Sequence, residues 1–77
     1  MSNIDTNHCR IAFGRYIKDI RTQKAMLQEE VAEKCGLAQS QYSRYERGER
    51  EIPLSVLRKI CKVLGVSFDD FVRNYPE

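Results

Sequence analysis

Residues 28–35 and 39–47 carry two short helical patterns with only Gly36, Leu37 and Ala38 between them. This spacing constrains the fold more than any other feature of the chain. So short a turn, containing a glycine, does not let two helices lie antiparallel; it sets them at a steep angle, as in a helix-turn-helix. Val31, Ala32 and Cys35 mark the inner face of the first helix, and Tyr42 and Tyr45 that of the second. Ala32 is small where the two helices approach, and Leu37 fills the inside of the turn. Neither stretch reaches the ~12–15 residues at which an isolated helix becomes stable, so both depend on packing against the rest of the chain.

The flanks supply that packing. Phe13, Ile17, Ile20 and Lys24 share one helical stripe, with Tyr16 beside it. They predict a first helix over residues 8–23, capped by Thr6 or Asn7, with the Lys24 stem lying along the apolar end. Gly48 stops the helix that holds the tyrosines. Pro53 suits the first turn of a fourth helix, whose apolar face reads Leu54, Leu57, Ile60, Cys61 and Leu64 before Gly65. Ser67 is a good N-cap for a fifth, with Asp69 and Asp70 favourable in its first turn and Phe68, Phe71 and Val72 on its apolar side. No stretch alternates as a strand does. The expected fold class is all-α, a compact bundle of five short helices. Residues 8–77 form a single domain behind a polar arm at 1–7, with the helix-turn-helix at 28–47.

At 77 residues the chain has room for one modest core. Its net charge of +2 permits nucleic-acid binding without requiring it, so any basic surface must come from placement. Cys9, Cys35 and Cys61 form no closely spaced ligand pairs, and His8 is the lone histidine. This argues against a metal site, and Cys35 and Cys61 read as small buried hydrophobes. No apolar run approaches the ~18 residues of a membrane span, and the opening MSNIDTNH is too polar for a signal peptide, so a cytoplasmic protein is expected. There is no nucleophile–base pair and no glycine-rich phosphate loop, so neither an enzyme, a cofactor nor a small-molecule ligand is implied.

The segment QEEVAEKCGLAQSQYSRYERG (28–48) resembles the helix-turn-helix of the Cro and phage-repressor (XRE-like) family. Gln28, Val31, Ala32, Cys35, Gly36, Leu37, Tyr42, Tyr45, Glu46 and Gly48 all stand where that family places such types. GRYIKDIR (14–21) resembles its first helix and IPLSVLRKICKVLGVSFDDF (52–71) its fourth and fifth, so the likeness covers about residues 11–72. Three positions depart from the pattern. Leu27 and Ala38 replace the Ser or Thr caps of the second and third helices, each at a cost of about 1 kcal/mol, and Ala25 replaces a glycine at the end of the first.

The resemblance implies a phage-repressor-like fold that binds double-stranded DNA, with helix 39–47 in the major groove. Gln39, Ser40 and Arg44 share an exposed face at the positions the family uses for base contacts. Gln pairs with adenine and Arg with guanine, each good pair giving about 1–3 kcal/mol of discrimination. Gln28, Gln41, Ser43, Arg47 and Arg50 are the candidates for phosphate contacts, which position a protein without reading sequence. Arg15 and Lys18 add long-range attraction. Glu46 is an acid in the last turn of a helix that faces a polyanion, so it needs a cation partner. The resemblance names Arg21, as a structural salt bridge between the first helix and the recognition helix.

Relatives of this kind bind (pseudo)palindromic operators as homodimers, and the expected dimer interface is Phe68, Phe71, Val72 and Tyr75, helped by the outer face of 54–64; the alternative for Phe68 and Phe71 is that they complete the monomer core. The implied function is a transcriptional regulator, such as a Cro-like repressor or a controller of a restriction-modification system. The alternative is an antitoxin-like or adaptor module whose main partner is a protein. The neighbouring genes distinguish the two.

Overall fold

The computed structural model describes residues 6–73, apart from the side chains of 6–9 and Val72. Five helices follow in order: α1 (Thr6–Gln23), α2 (Gln28–Lys34), α3 (Gln39–Glu46), α4 (Leu54–Leu64) and α5 (Phe68–Arg73). No strand occurs among the described residues. α1 begins two residues before the position expected from its apolar stripe.

α1 through α4 all end in the same way. One residue at each closure turns left-handed, Ala25, Gly36, Gly48 and Gly65, with φ of 57, 72, 72 and 74°. At the turn between α2 and α3, the Gly36 N–H donates to the Glu33 carbonyl and the Leu37 N–H to the Ala32 carbonyl. This paired closure is the Schellman motif, and it consumes carbonyls that the helix leaves without partners. It also sends Leu37 inward, against the core. α3 closes identically, Gly48 N–H to Tyr45 O and Glu49 N–H to Arg44 O. The helix starts are less regular. Leu27 and Ala38 offer no capping oxygen. At α2 the Glu30 carboxylate turns back and accepts the Leu27 N–H at 2.8 Å, which makes half of a capping box. At α5 the Ser67 hydroxyl accepts the Asp70 N–H at 3.3 Å.

The core gathers Ile17 and Ile20 from α1, Val31, Ala32 and Cys35 around α2, Tyr42 and Tyr45 from α3, and Leu57, Ile60, Cys61 and Leu64 from α4. Burying a side chain such as Val31 or Ile60 contributes about 1.5–3 kcal/mol, which is what holds helices of seven and eight residues in place. α3 packs on both α1 and α2 and so lies pinned from two sides. Leu54 departs from the expected apolar face. It stands at the first position of α4 and is 57% exposed, because the chain enters that helix from outside the core.

Phe71 takes the core role and not the interface role. It is 1% exposed, stacked on Phe13 with ring centroids 5.1 Å apart and tilted against Tyr16 at 4.8 Å. Its ring completes the core between α1 and α5 and leaves no surface for a dimer interface. Phe68 is half-buried, with the Arg58 guanidinium 4.9 Å above its ring. Val72 and Tyr75, the other two residues expected at that interface, fall outside the described side chains.

Candidate nucleic-acid interface

The division of α3 into two faces is complete. Tyr42, Tyr45 and Glu46 are buried, while Gln39, Ser40, Gln41 and Arg44 are exposed and Ser43 is half-buried. The inner face contains no aliphatic side chain. Two tyrosines and one carboxylate fix the helix, so the carboxylate must be matched.

It is matched by Arg21. The Arg21 Nε donates to Glu46 Oε2 at 2.6 Å and Nη2 to Oε1 at 3.1 Å, a bidentate fork. The third edge of the guanidinium donates from Nη1 to the Met26 carbonyl at 2.7 Å and so ties down the loop between α1 and α2. Gln28, the first residue of α2, donates from Nε2 to Glu46 Oε1 at 2.9 Å. One carboxylate therefore joins α1, α2 and α3. Burial alone would raise the Glu46 carboxyl, but the hydrogen bonds from Arg21 and Gln28, with the Tyr42 hydroxyl close by, hold it below the ordinary carboxylate value. Tyr42 shows the opposite effect. Burial, with Glu46 beside it, pushes its ionisation far up, so the hydroxyl stays neutral.

Gly14 explains how closely α1 and α3 approach. A Cβ built on it would meet the Glu46 carbonyl oxygen at 2.4 Å and the Tyr45 carbonyl oxygen at 2.5 Å. The last turn of α3 thus rests directly on the backbone of α1, four residues short of Lys18 and seven short of Arg21.

Two open grooves flank α3. One, of about 420 Å³, is lined by Ser40, Gln41, Arg44, Arg50 and Pro53. The other, of about 670 Å³, lies toward α1 and is lined by Arg15, Lys18, Gln28, Ser43 and Arg47 together with the acids Asp19, Glu46 and Glu49. Every cation expected to face DNA therefore lies in one groove or the other, and Ser40, Gln41 and Arg44 of the exposed face of α3 line the first. Gln41 also reaches the Tyr45 hydroxyl, at a long 3.4 Å.

Of the five expected phosphate ligands, Gln28, Gln41, Ser43 and Arg47 carry internal partners. Gln28 gives an N–H to Glu46, as above. Arg47 donates to Ser43 Oγ at 2.6 Å and to the Glu49 carboxylate at 2.7 and 3.3 Å. Neither the Gln28–Glu46 bond nor the role of Glu49 was read from the sequence. The only signal for Glu49 is an acid two residues past an arginine beside the recognition helix. The signal for Gly14 is a glycine in the middle of an otherwise good helix, where it costs about 1 kcal/mol and so needs a packing reason.

A family model for the helix-turn-helix matches residues 17–71, most of the chain. The control protein C.BamHI of Bacillus amyloliquefaciens is 40% identical over 68 residues, covering 87% of this chain and 84% of that protein. Among solved structures, the clp gene regulator ClgR from Corynebacterium glutamicum superposes with a TM-score of 0.79 at 29% identity, over 84% of each chain. The restriction-modification controller protein C.AhdI from Aeromonas hydrophila gives a TM-score of 0.75 at 30% identity, over 79% of this chain and 92% of its own. With the closely linked α2–α3 pair, the buried Arg21–Glu46 brace and these likenesses in hand, the chain belongs to the helix-turn-helix family of the Cro and phage-repressor (XRE-like) type.

Proposed function

We propose that the protein is a sequence-specific transcriptional regulator that binds a two-fold symmetric operator as a homodimer, with α3 in the major groove. The observation that carries this reading is the exposed face of Gln39, Ser40 and Arg44 on a helix whose other face is sealed into the core. The N-terminal part of such a helix reaches base edges, and Arg and Gln are the side chains best suited to guanine and adenine. The cation-bearing grooves on the two flanks of α3 suit the phosphate strands that border a major groove. Arg44 and Gln39 are assigned to bases, and Arg47, Arg50 and Gln41 to phosphates.

A homodimer follows from the economy of one short reading helix, since two half-sites about 34 Å apart double the sequence read. The outer face of α4 and α5, centred on Phe68, is the surface assigned to it. The likeness to a control protein and a restriction-modification controller protein supports a controller role for this chain.

Selection of bound sequences from random duplex DNA tests the proposal. The expected result is an enriched sequence with two-fold symmetry. No enrichment of any sequence would reject it. Sedimentation at tens of micromolar should show a dimer, and a monomer there would reject the dimeric part.

A further inference from the structure

Glu49 occupies an unusual place for an acid. It is the second residue past the α3 C-cap, and its N–H donates to the Arg44 carbonyl at 2.9 Å, so its backbone is fixed by the closure of the helix. Its carboxylate fills the Arg47 fork, accepting from Nε at 2.7 Å and from Nη2 at 3.3 Å. The remaining edge of that guanidinium donates from Nη1 to Ser43 Oγ at 2.6 Å. The hydrogen bond from Arg47 lowers the Glu49 carboxyl below its ordinary value, and the nearby charge of Arg44 adds to this. Glu49 is therefore ionised at neutral pH, in the groove with Arg15 and Lys18 that lies toward α1.

The pair adds little to stability. Both side chains are about half exposed, 54% and 52%, and such pairs contribute little. What the pair does is fill the guanidinium fork that a phosphate would use. Carboxylate and phosphate make the same demand on a guanidinium, two parallel N–H donors. An acid here also repels a polyanion. We propose that Glu49 is an internal competitor for DNA phosphate at Arg47, which weakens binding to arbitrary duplex and so raises discrimination for the operator. This rests on the reading above, that α3 faces DNA.

The asymmetry has a physical basis. Binding to arbitrary sequence is almost wholly electrostatic, so a cation held by Glu49 is subtracted from it in full. In the operator complex, base contacts from Arg44 and Gln39 hold the backbone in register. A phosphate is then presented to Arg47 at fixed distance and displaces the Glu49 carboxylate.

The test is Glu49→Gln, with affinities for the selected operator and for a scrambled duplex measured across a salt series. The exchange keeps size and removes charge at an exposed site, so the melting temperature should match wild type. The variant is expected to bind scrambled duplex about threefold tighter, with a salt slope steeper by about 0.9, one further phosphate contact. Its gain on the operator should be smaller, so the ratio of the two affinities falls. In an Arg47→Gln background the same exchange should give no such gain. If wild type prefers its operator while Glu49→Gln changes neither affinity nor slope, the competitor is overturned and the DNA reading stands. An equal gain on both duplexes, or an undiminished gain in the Arg47→Gln background, overturns it in favour of a general charge effect. If wild type shows no preference for any duplex, both the DNA reading and the competitor fall.

Discussion

Arg21, in the last turn of α1, and Glu46, in the last turn of α3, meet edge to edge through hydrogen bonds of 2.6 and 3.1 Å, with their side chains 10% and 1% exposed. The pair is a brace and not a surface ornament. It neutralises an acid beneath the proposed DNA-facing surface, and it fixes the end of α3 to the helix behind it. With Gln28 as a third member, the orientation of α3 is set from α1 and α2 together.

Arg21→Ala should therefore act on stability and on binding at once. Removing one partner of a buried pair leaves the other charge without compensation, which costs about 3–5 kcal/mol. Urea unfolding should show a loss of that order. The operator affinity should fall as well, because α3 loses its fixed angle. An unchanged unfolding midpoint would remove the brace from the account. Gln28→Ala should cost less, since Arg21 still satisfies the carboxylate.

The same carboxylate makes stability depend on pH. The folded Glu46 pKa lies below the ordinary 4.5. A depressed carboxyl contributes stability that is complete above the unfolded value and is lost as pH falls through the folded one. Stability should thus hold above about pH 4.5 and decline below it. In Glu46→Gln the curve should start lower and be flatter across that acid range. Thermal melts from pH 7 to pH 3 would show the difference.

Gly14→Ala should destabilise, although alanine is the better helix former by about 1 kcal/mol. The added methyl would meet two α3 carbonyl oxygens, at 2.4 and 2.5 Å, and backbone cannot swing aside as a side chain does. Forcing α1 and α3 apart is an overpacking cost of about 1–3 kcal/mol. A melting temperature equal to or above wild type would show that the contact is slack.

Ala25→Gly should do the reverse. Ala25 holds φ 57°, the left-handed region, at the position where the other three closures have glycine. Relief of the Cβ clash is worth about 1 kcal/mol, which in a domain of this size raises the melting temperature by about 4–8 °C. A fall in melting temperature would mean that the added freedom of the unfolded chain outweighs the strain.

These effects show where the sequence speaks and where it does not. The helix-turn-helix was legible because Gly36, Leu37 and the Ala32, Tyr42 and Tyr45 positions repeat a packing problem with few solutions. The four helix ends were legible because a left-handed closure favours Gly, and Ala25 was visible as a departure. Periodicity misassigned Leu54, since an apolar residue at a helix entrance sits on the right stripe yet precedes the buried turns. It also left Phe71 between two roles, because only the position of Phe13 and Tyr16 in space decides that its ring is sealed inside. Pairings set by the ends of side chains, such as Gln28 with Glu46 and Arg47 with Glu49, leave no periodic mark at all.

The assignment of α3 as the reading helix is tested most directly by the affinity of Arg44→Ala for the selected operator and for a scrambled duplex at one salt concentration. Arg44 lies on the exposed face of α3, so the variant should melt with wild type. Loss of a base contact of about 1–3 kcal/mol should weaken operator binding roughly 5- to 150-fold while scrambled binding falls far less. Equal losses on both duplexes, or none on either, would contradict the assignment of α3 as the reading helix.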